Sequence, residues 1–129
     1  MKSVVTVGSR RFKKEIVKFA KDLQSLGVLV FAPYLHEGKE EWQSLSEQYK
    51  KFVLLGLTHD HFYKIKMADV VFVYNKDGYS GVSTTLEIGC AMALGKVIYS
   101  LCEDTEEGCR NILFRENILT PAELVNKLK

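Results

Sequence analysis

The sequence predicts an α/β domain built on a mostly parallel sheet of four to five strands. Three observations predict it. Short apolar, β-branched runs recur at residues 4–7, 28–31, 70–74 and 96–101, and several of them end abruptly at Gly8, Pro33 or Asn75. Between them lie segments whose apolar residues repeat at three- and four-residue spacing, the period of an amphipathic helix. The first run, the helix after it and the second run fit within about 30 residues, the size of a right-handed βαβ unit with parallel strands.

The first strand is Val4–Val7, ended by Gly8 and Ser9. Phe12, Ile16, Phe19, Ala20 and Leu23 then form one helical stripe, which Gly27 stops. The second strand covers 28–31. His36-Glu37-Gly38-Lys39 reads as a loop. Residues 41–55 predict a helix with Trp42, Leu45, Tyr49, Phe52 and Val53 on one side, and residues 59–67 predict another with Phe62 and Ile65 toward the core. The third strand, 70–74, breaks at Asn75-Lys76-Asp77-Gly78. A helix over 84–94 follows, with Gly95 as its C-cap, and then the fourth strand, 96–101. A short fifth strand is expected within 111–118. The last helix is signalled by Thr120 as N-cap, Pro121 at the first position and Glu123 three residues after the cap. Apolar strands alternating with helices imply a sheet covered on both faces. The expected architecture is a Rossmann-like (flavodoxin-like) three-layer sandwich, with residues 1–129 as a single domain.

Composition narrows the function. The chain has 18 Lys plus Arg against 16 Asp plus Glu, a formal net charge of +2, and no long basic run, so a nucleic-acid partner is not expected. The three cysteines, Cys90, Cys102 and Cys109, form no CxxC pair, and a reducing cytoplasm suits them better than a disulfide framework. No segment approaches the ~20 apolar residues of a membrane span. On a helix, His59 and His61 point about 200 degrees apart, so they chelate poorly, and His36 is the only other histidine. No metal is expected. Neither a GxGxxG nor a P-loop pattern occurs, and no cofactor is expected.

In parallel sheets ligands bind beyond the carboxyl ends of the strands. Gly8, Ser9, Arg10, Arg11 and Phe12 follow the first strand there. They read either as a backbone approach with a charged contact for an anion, or as a tight turn carrying two solvated arginines. Asn75, Asp77, Gly78, Tyr79, Gly81, Ser83 and Thr84 form a hydroxyl- and glycine-rich passage into a helix, suited to a phosphate or a sugar. Glu87 has two readings. It can be the reciprocal partner of Thr84 in a capping box, or an ionised carboxylate that acts on a ligand.

The stretch His61-Phe62-Tyr63-Lys64-Ile65 with Ala68-Asp69-Val70, then Asn75, Gly78-Tyr79-Ser80-Gly81, Ser83-Thr84, Glu87-Ile88-Gly89 and Ala91-Met92-Ala93-Leu94-Gly95-Lys96, resembles the nucleoside 2-deoxyribosyltransferase-like superfamily, in particular its small bacterial and phage members. The opening Val7-Gly8-Ser9-Arg10-Arg11-Phe12 agrees with it. The resemblance implies a nucleoside or nucleoside monophosphate as ligand. It implies Glu87 as the nucleophile that attacks the anomeric carbon and forms a covalent glycosyl-enzyme, and a homodimer or larger assembly. Active relatives carry an acidic residue before the alanine-aspartate strand start. His61 holds that register here, with Asp60 beside it, and both join Glu87 as candidate catalytic residues. The aspartate near the nucleophile has its nearest counterpart in Asp77, and the aromatic after the first strand is Phe12, which lacks a hydroxyl. These departures bear on turnover more than on binding. Two functions follow: an enzyme that cleaves or transfers an N-glycosidic bond, or a nucleotide-binding or sensing module without catalysis.

Overall fold

The structure, a computed structural model, describes residues 1–33 and 39–129. Of the loop expected at His36-Glu37-Gly38-Lys39, the first three residues lie outside the described residues, and Lys39 opens a short helix instead. Five parallel strands form one sheet: β1 (Val4–Val7), β2 (Val30–Phe31), β3 (Val70–Val73), β4 (Val97–Ser100) and β5 (Glu116–Asn117), in the order β2-β1-β3-β4-β5. Val4 pairs with Val70 and Val7 with Val73; Val70 pairs with Val97 and Val73 with Ser100. The winding direction reverses between β1 and β3. In doubly wound sheets this switch point opens the crevice that receives a ligand.

Strand side chains alternate between two cores. Val4, Val70, Phe72 and Tyr99 pack against α1 (Lys13–Ser25) and α6 (Pro121–Leu128), where Leu23, Leu124 and Leu128 are fully buried. Phe19 stacks on Phe72 with ring centres 4.6 Å apart. Val5, Val7, Val71, Val73 and Ile98 pack on the opposite face, against Ile65, Ala68, Ile88 and Ala91. The helices of this second layer are α3 (Glu47–Met67) and α4 (Val82–Ala93), with a short α2 (Lys39–Ser44) before them. A four-residue α5 (Gly108–Asn111) leads into β5.

Beyond one-residue differences at the ends of β3 and β4, three boundaries differ from the sequence expectation. The second strand starts at Val30 rather than residue 28, because Gly27 turns the chain at positive φ and the Val28 amide bonds back to the Leu23 carbonyl. The helices expected at 41–55 and 59–67 are divided elsewhere. The break falls at Leu45 and Ser46, where the Ser46 hydroxyl accepts from the Tyr49 amide and caps a 21-residue helix that runs straight through Gly56. Finally, α4 begins at Val82, two residues before Thr84, because extended Gly81 serves as its N-cap. The last helix forms as its signals indicate: Thr120 accepts from the Glu123 amide, and Pro121 opens the first turn.

Candidate functional site

The exits of β1 and β3 lie side by side, and the Tyr74 amide donates to the Val7 carbonyl at 2.8 Å. Gly8 is required at this approach. A Cβ there would stand 2.8 Å from the Tyr74 carbonyl oxygen and 2.8 Å from Ile16 Cδ1. The chain then makes a 3-10 turn over Arg10–Phe12, capped by the Ser9 hydroxyl, which accepts from the Arg11 amide. This turn sends neighbouring side chains apart. Phe12 is buried edge-on to Tyr79, the Arg11 guanidinium lies over the Tyr79 ring at 3.5 Å, and Arg10 lines the cavity described next.

A cavity of about 380 Å³ lies beyond the strand ends, in the size range of small-molecule sites. Gly8, Ser9 and Arg10 form one wall, and Gly81, Val82, Ser83, Thr84, Leu86 and Glu87 of the α4 start form another. Leu54, Leu57, Thr58, His61 and Phe62 of α3 form a third, with Pro33 beside them. The first turn of α4 leaves the amides of Val82, Ser83 and Thr84 without intrahelical acceptors, an arrangement suited to an anion.

Glu87 and His61 meet inside this cavity. The capping box expected between Thr84 and Glu87 does not form, since α4 is already under way at Thr84 and Glu87 sits in its second turn. Glu87 Oε1 instead lies 3.0 Å from His61 Nδ1. A carboxylate oxygen accepts, so Nδ1 carries the proton, and the Glu87 contact fixes the imidazole. Glu87 Oε2 and His61 Nε2 are both buried without a hydrogen-bond partner. Buried polar atoms are rarely left so, and two of them in one cavity leave hydrogen-bonding capacity for a ligand. Burial raises the Cys90 thiol above its ordinary range, with Glu87 adding to the effect, which keeps that cysteine protonated and poorly nucleophilic.

The remaining candidates stand elsewhere. Asp60 points away from the cavity and pairs with Lys64 at 2.8 Å. Asn75 is fully buried, but its side chain brackets the Cys102 backbone, donating to the carbonyl and accepting from the amide. Asp77 is exposed at φ 59°, in the left-handed region, and Gly78 follows at φ 75° with its Cα against the Glu103 carbonyl. These two shape the turn and do not line the cavity. Among the described residues no three His, Cys, Asp or Glu side chains gather as a metal site, and no helix is long and apolar enough to cross a membrane. Sequence reasoning picked out His61 but missed the rest of the α3 wall. Leu54, Thr58, His61 and Phe62 share one helical face at spacings of four, three and one, but dividing the helix near Gly56 hid that register.

No protein-family model matches the chain, and no curated protein matches it in sequence. Solved structures do. The 2-deoxyribosyltransferase of Bacillus psychrosaccharolyticus is 20% identical with a TM-score of 0.65, the match covering 96% of this chain and 90% of that one. A Clostridium botulinum CMP N-glycosidase is 19% identical with a TM-score of 0.57, over 98% and 97% of the two chains. A conserved protein of Enterococcus faecalis is 14% identical with a TM-score of 0.59, over 99% and 97%. At these identities the likeness establishes a shared α/β fold along nearly the whole chain.

Proposed function

We propose that this chain is a single-domain member of the nucleoside 2-deoxyribosyltransferase-like group that cleaves or transfers the N-glycosidic bond of a nucleoside or nucleoside monophosphate. The observation that carries the proposal is the buried Glu87–His61 pair, with one oxygen of Glu87 unpartnered inside the cavity. Two proteins of the same fold are, by name, a deoxyribosyltransferase and a CMP N-glycosidase, which supports glycosyl chemistry in general terms.

In the proposed reaction Glu87 Oε2 attacks the anomeric carbon as the bond from that carbon to the base nitrogen breaks. The base leaves with the bonding electron pair and takes up a proton. Water or a second base then attacks the same carbon, displaces the carboxylate and loses a proton. His61 holds Glu87 in place through its Nδ1 proton; in the doubly protonated ring Nε2–H gives its proton to the departing base, and Nε2 then takes one back from the attacking water or base. Arg10, the Gly8-Ser9 backbone and the α4 amides suit a 5′-phosphate, while Arg11, Phe12 and Tyr79 shape the wall behind them. The chain functions as a homodimer in this reading, because Tyr49 and Phe52 expose most of their surface along α3. Its three unpaired cysteines suit the cytoplasm.

The second reading is a nucleotide-binding module without turnover. It is favoured by Asp60 and Asp77 both standing outside the cavity, which leaves Glu87 as the one carboxylate in the lining among the described residues. One experiment separates the two. Incubation with a panel of nucleosides and nucleoside monophosphates, followed by chromatography of the free base, is expected to show release from at least one compound. Binding without release across the panel supports the second reading, and neither binding nor release rejects both.

A further inference from the structure

The segment between β4 and β5 braces the turn that carries the cavity, and at its centre is an ion pair that the proposed chemistry does not use. Asp104 and Arg110 are both at least nine-tenths buried. Arg110 Nε donates to Asp104 Oδ2 at 2.6 Å, and Nη2 reaches Oδ1 at 3.3 Å. The amides of Glu106 and Glu107 also donate to Asp104 Oδ1. Burial alone pushes the Asp104 carboxyl up, yet the Arg110 hydrogen bond and these amides hold it below its ordinary value.

The other arm of the guanidinium leaves the pair. Arg110 Nη1 donates to Thr85 Oγ1 at 3.3 Å, and that hydroxyl donates to the Gly81 carbonyl at 2.9 Å. Gly81 is the N-cap of α4, so the relay from Asp104 ends at the start of the helix that lines the cavity. Two contacts beside it join the same segments: Asn75 brackets Cys102, and Gly78 packs against the Glu103 carbonyl.

As a stabilising device this arrangement is weak. Desolvation offsets much of the attraction in a buried ion pair. The positive end of a helix also disfavours a cation beside it. What the arrangement does offer is geometry, since a planar guanidinium holds Asp104 and Thr85 through separate nitrogens in a fixed fork, whereas an ammonium is a single freely rotating donor atom. We propose that Arg110 is a positioning residue. Through Thr85 it fixes the first turn of α4, and so sets where the free amides and Glu87, two residues beyond Thr85, stand against His61. The inference rests on the reading of that helix start as the ligand site.

The test compares Thr85→Val, Thr85→Ser and Arg110→Lys with the wild type. Thr85→Val cuts the relay and leaves the Asp104–Arg110 pair whole; Thr85→Ser keeps the hydroxyl; Arg110→Lys keeps a charge without the fork. Amide hydrogen exchange and the His61 ring signal at fixed pH are read by NMR in the ligand-free protein, and CMP is then titrated as the probe. Thr85→Val, which removes the bond from Arg110 and the bond to Gly81, and Arg110→Lys are expected to speed exchange of the hydrogen-bonded amides of residues 85–87 about three- to tenfold. The His61 signal shifts, amides of α1 and α6 keep their rates, and Thr85→Ser restores the wild-type pattern. An unchanged exchange rate and His61 signal in Thr85→Val overturns the inference, and so does an acceleration spread evenly over α1 and α6. If Arg110→Lys does not fold, Thr85→Val decides alone. A wild type that neither binds CMP nor releases base from the panel counts against the proposed function, while the two ligand-free readings still decide the role of Arg110.

Discussion

The two faces of the sheet are built differently. On the α1 and α6 side, apolar stripes meet apolar strands: Leu23, Leu124 and Leu128 are fully buried and Phe19 stacks on Phe72, the exception being Thr6, whose buried hydroxyl lacks a hydrogen-bond partner. On the α3 and α4 side, a 21-residue helix fully buries only Ile65 and leaves Phe52, Leu55 and Tyr63 more than half exposed. The same side buries Glu87 and His61 with unpartnered atoms. Both helix-interior glycines among the described residues, Gly56 and Gly89, also lie there. One face has the composition of a core. The other carries features that cost stability and that suit the ligand and the second copy proposed above.

The largest effect expected from this contrast is at Glu87. Glu87→Gln keeps the shape and a hydrogen-bonding oxygen but cannot attack carbon. Base release from the best substrate of the panel is expected to fall by about three orders of magnitude or more, with the thermal melt and CMP affinity nearly unchanged. Full activity in the folded variant ends the nucleophile assignment.

On the opposite face the effect should appear in stability alone. Leu124→Ala removes a fully buried side chain, and the loss expected in a urea melt is about 2–5 kcal/mol. CMP affinity of the folded fraction is expected to hold. Leu54→Ala on the cavity wall should do the reverse, because Leu54 is already 53% exposed and has little burial to lose. A large stability loss at Leu54 with unchanged ligand affinity erases the contrast.

A smaller effect follows from Asp104. Its folded carboxyl titrates below the ordinary value of 3.8, so folding favours the ionised form. The stabilisation is fully present above the unfolded value and is lost as pH falls through the folded one. Acid melts of the wild type are therefore expected to lose this contribution at pH below the ordinary carboxylate range. Asp104→Asn should be less stable at neutral pH and should lack that acid-dependent component. An equally steep acid limb in Asp104→Asn assigns the loss to other carboxylates.

These differences also explain what could be read in the sequence. The first face was legible because Ile16, Phe19, Ala20 and Leu23 repeat with the helix period, and their only task is to meet the sheet. The strands were legible for the same reason, as was the cap at Thr120. The second face was legible only in part. Its long helix carries apolar residues around most of its circumference, so the stripe read over residues 41–55 ran across the real break at Leu45 and Ser46 and ended inside the helix. Glu87 was singled out for its place near a helix start, but its partner His61 lies 26 residues away and on another helix. Neither spacing nor periodicity carries such a contact. Arg110 and Asp104 gave no signal at all, since six residues across a short loop and a single helical turn match no pattern.

The smallest expected effect tests whether the exposed face of α3 is covered. Gly56 lies mid-helix, and a Cβ built there meets nothing within 4 Å. In a free helix, Gly56→Ala should therefore stabilise by about 1 kcal/mol, since alanine loses less backbone entropy and clashes with nothing. Gly56 follows Phe52 by four residues and Tyr49 by seven, which places all three along one stripe of the helix. If a second copy of the chain seats on that stripe, as the homodimer reading holds, a methyl group at 56 enters the contact. The gain should then depend on concentration: close to the full value in dilute protein, where monomer dominates, and reduced or reversed where light scattering reports a dimer. Urea melts of both proteins at low and high micromolar concentration measure this directly. A gain that stays constant across the range, with a 14.7 kDa particle throughout, means that Tyr49 and Phe52 remain open to solvent in the free protein and that the exposed face of α3 serves no second copy.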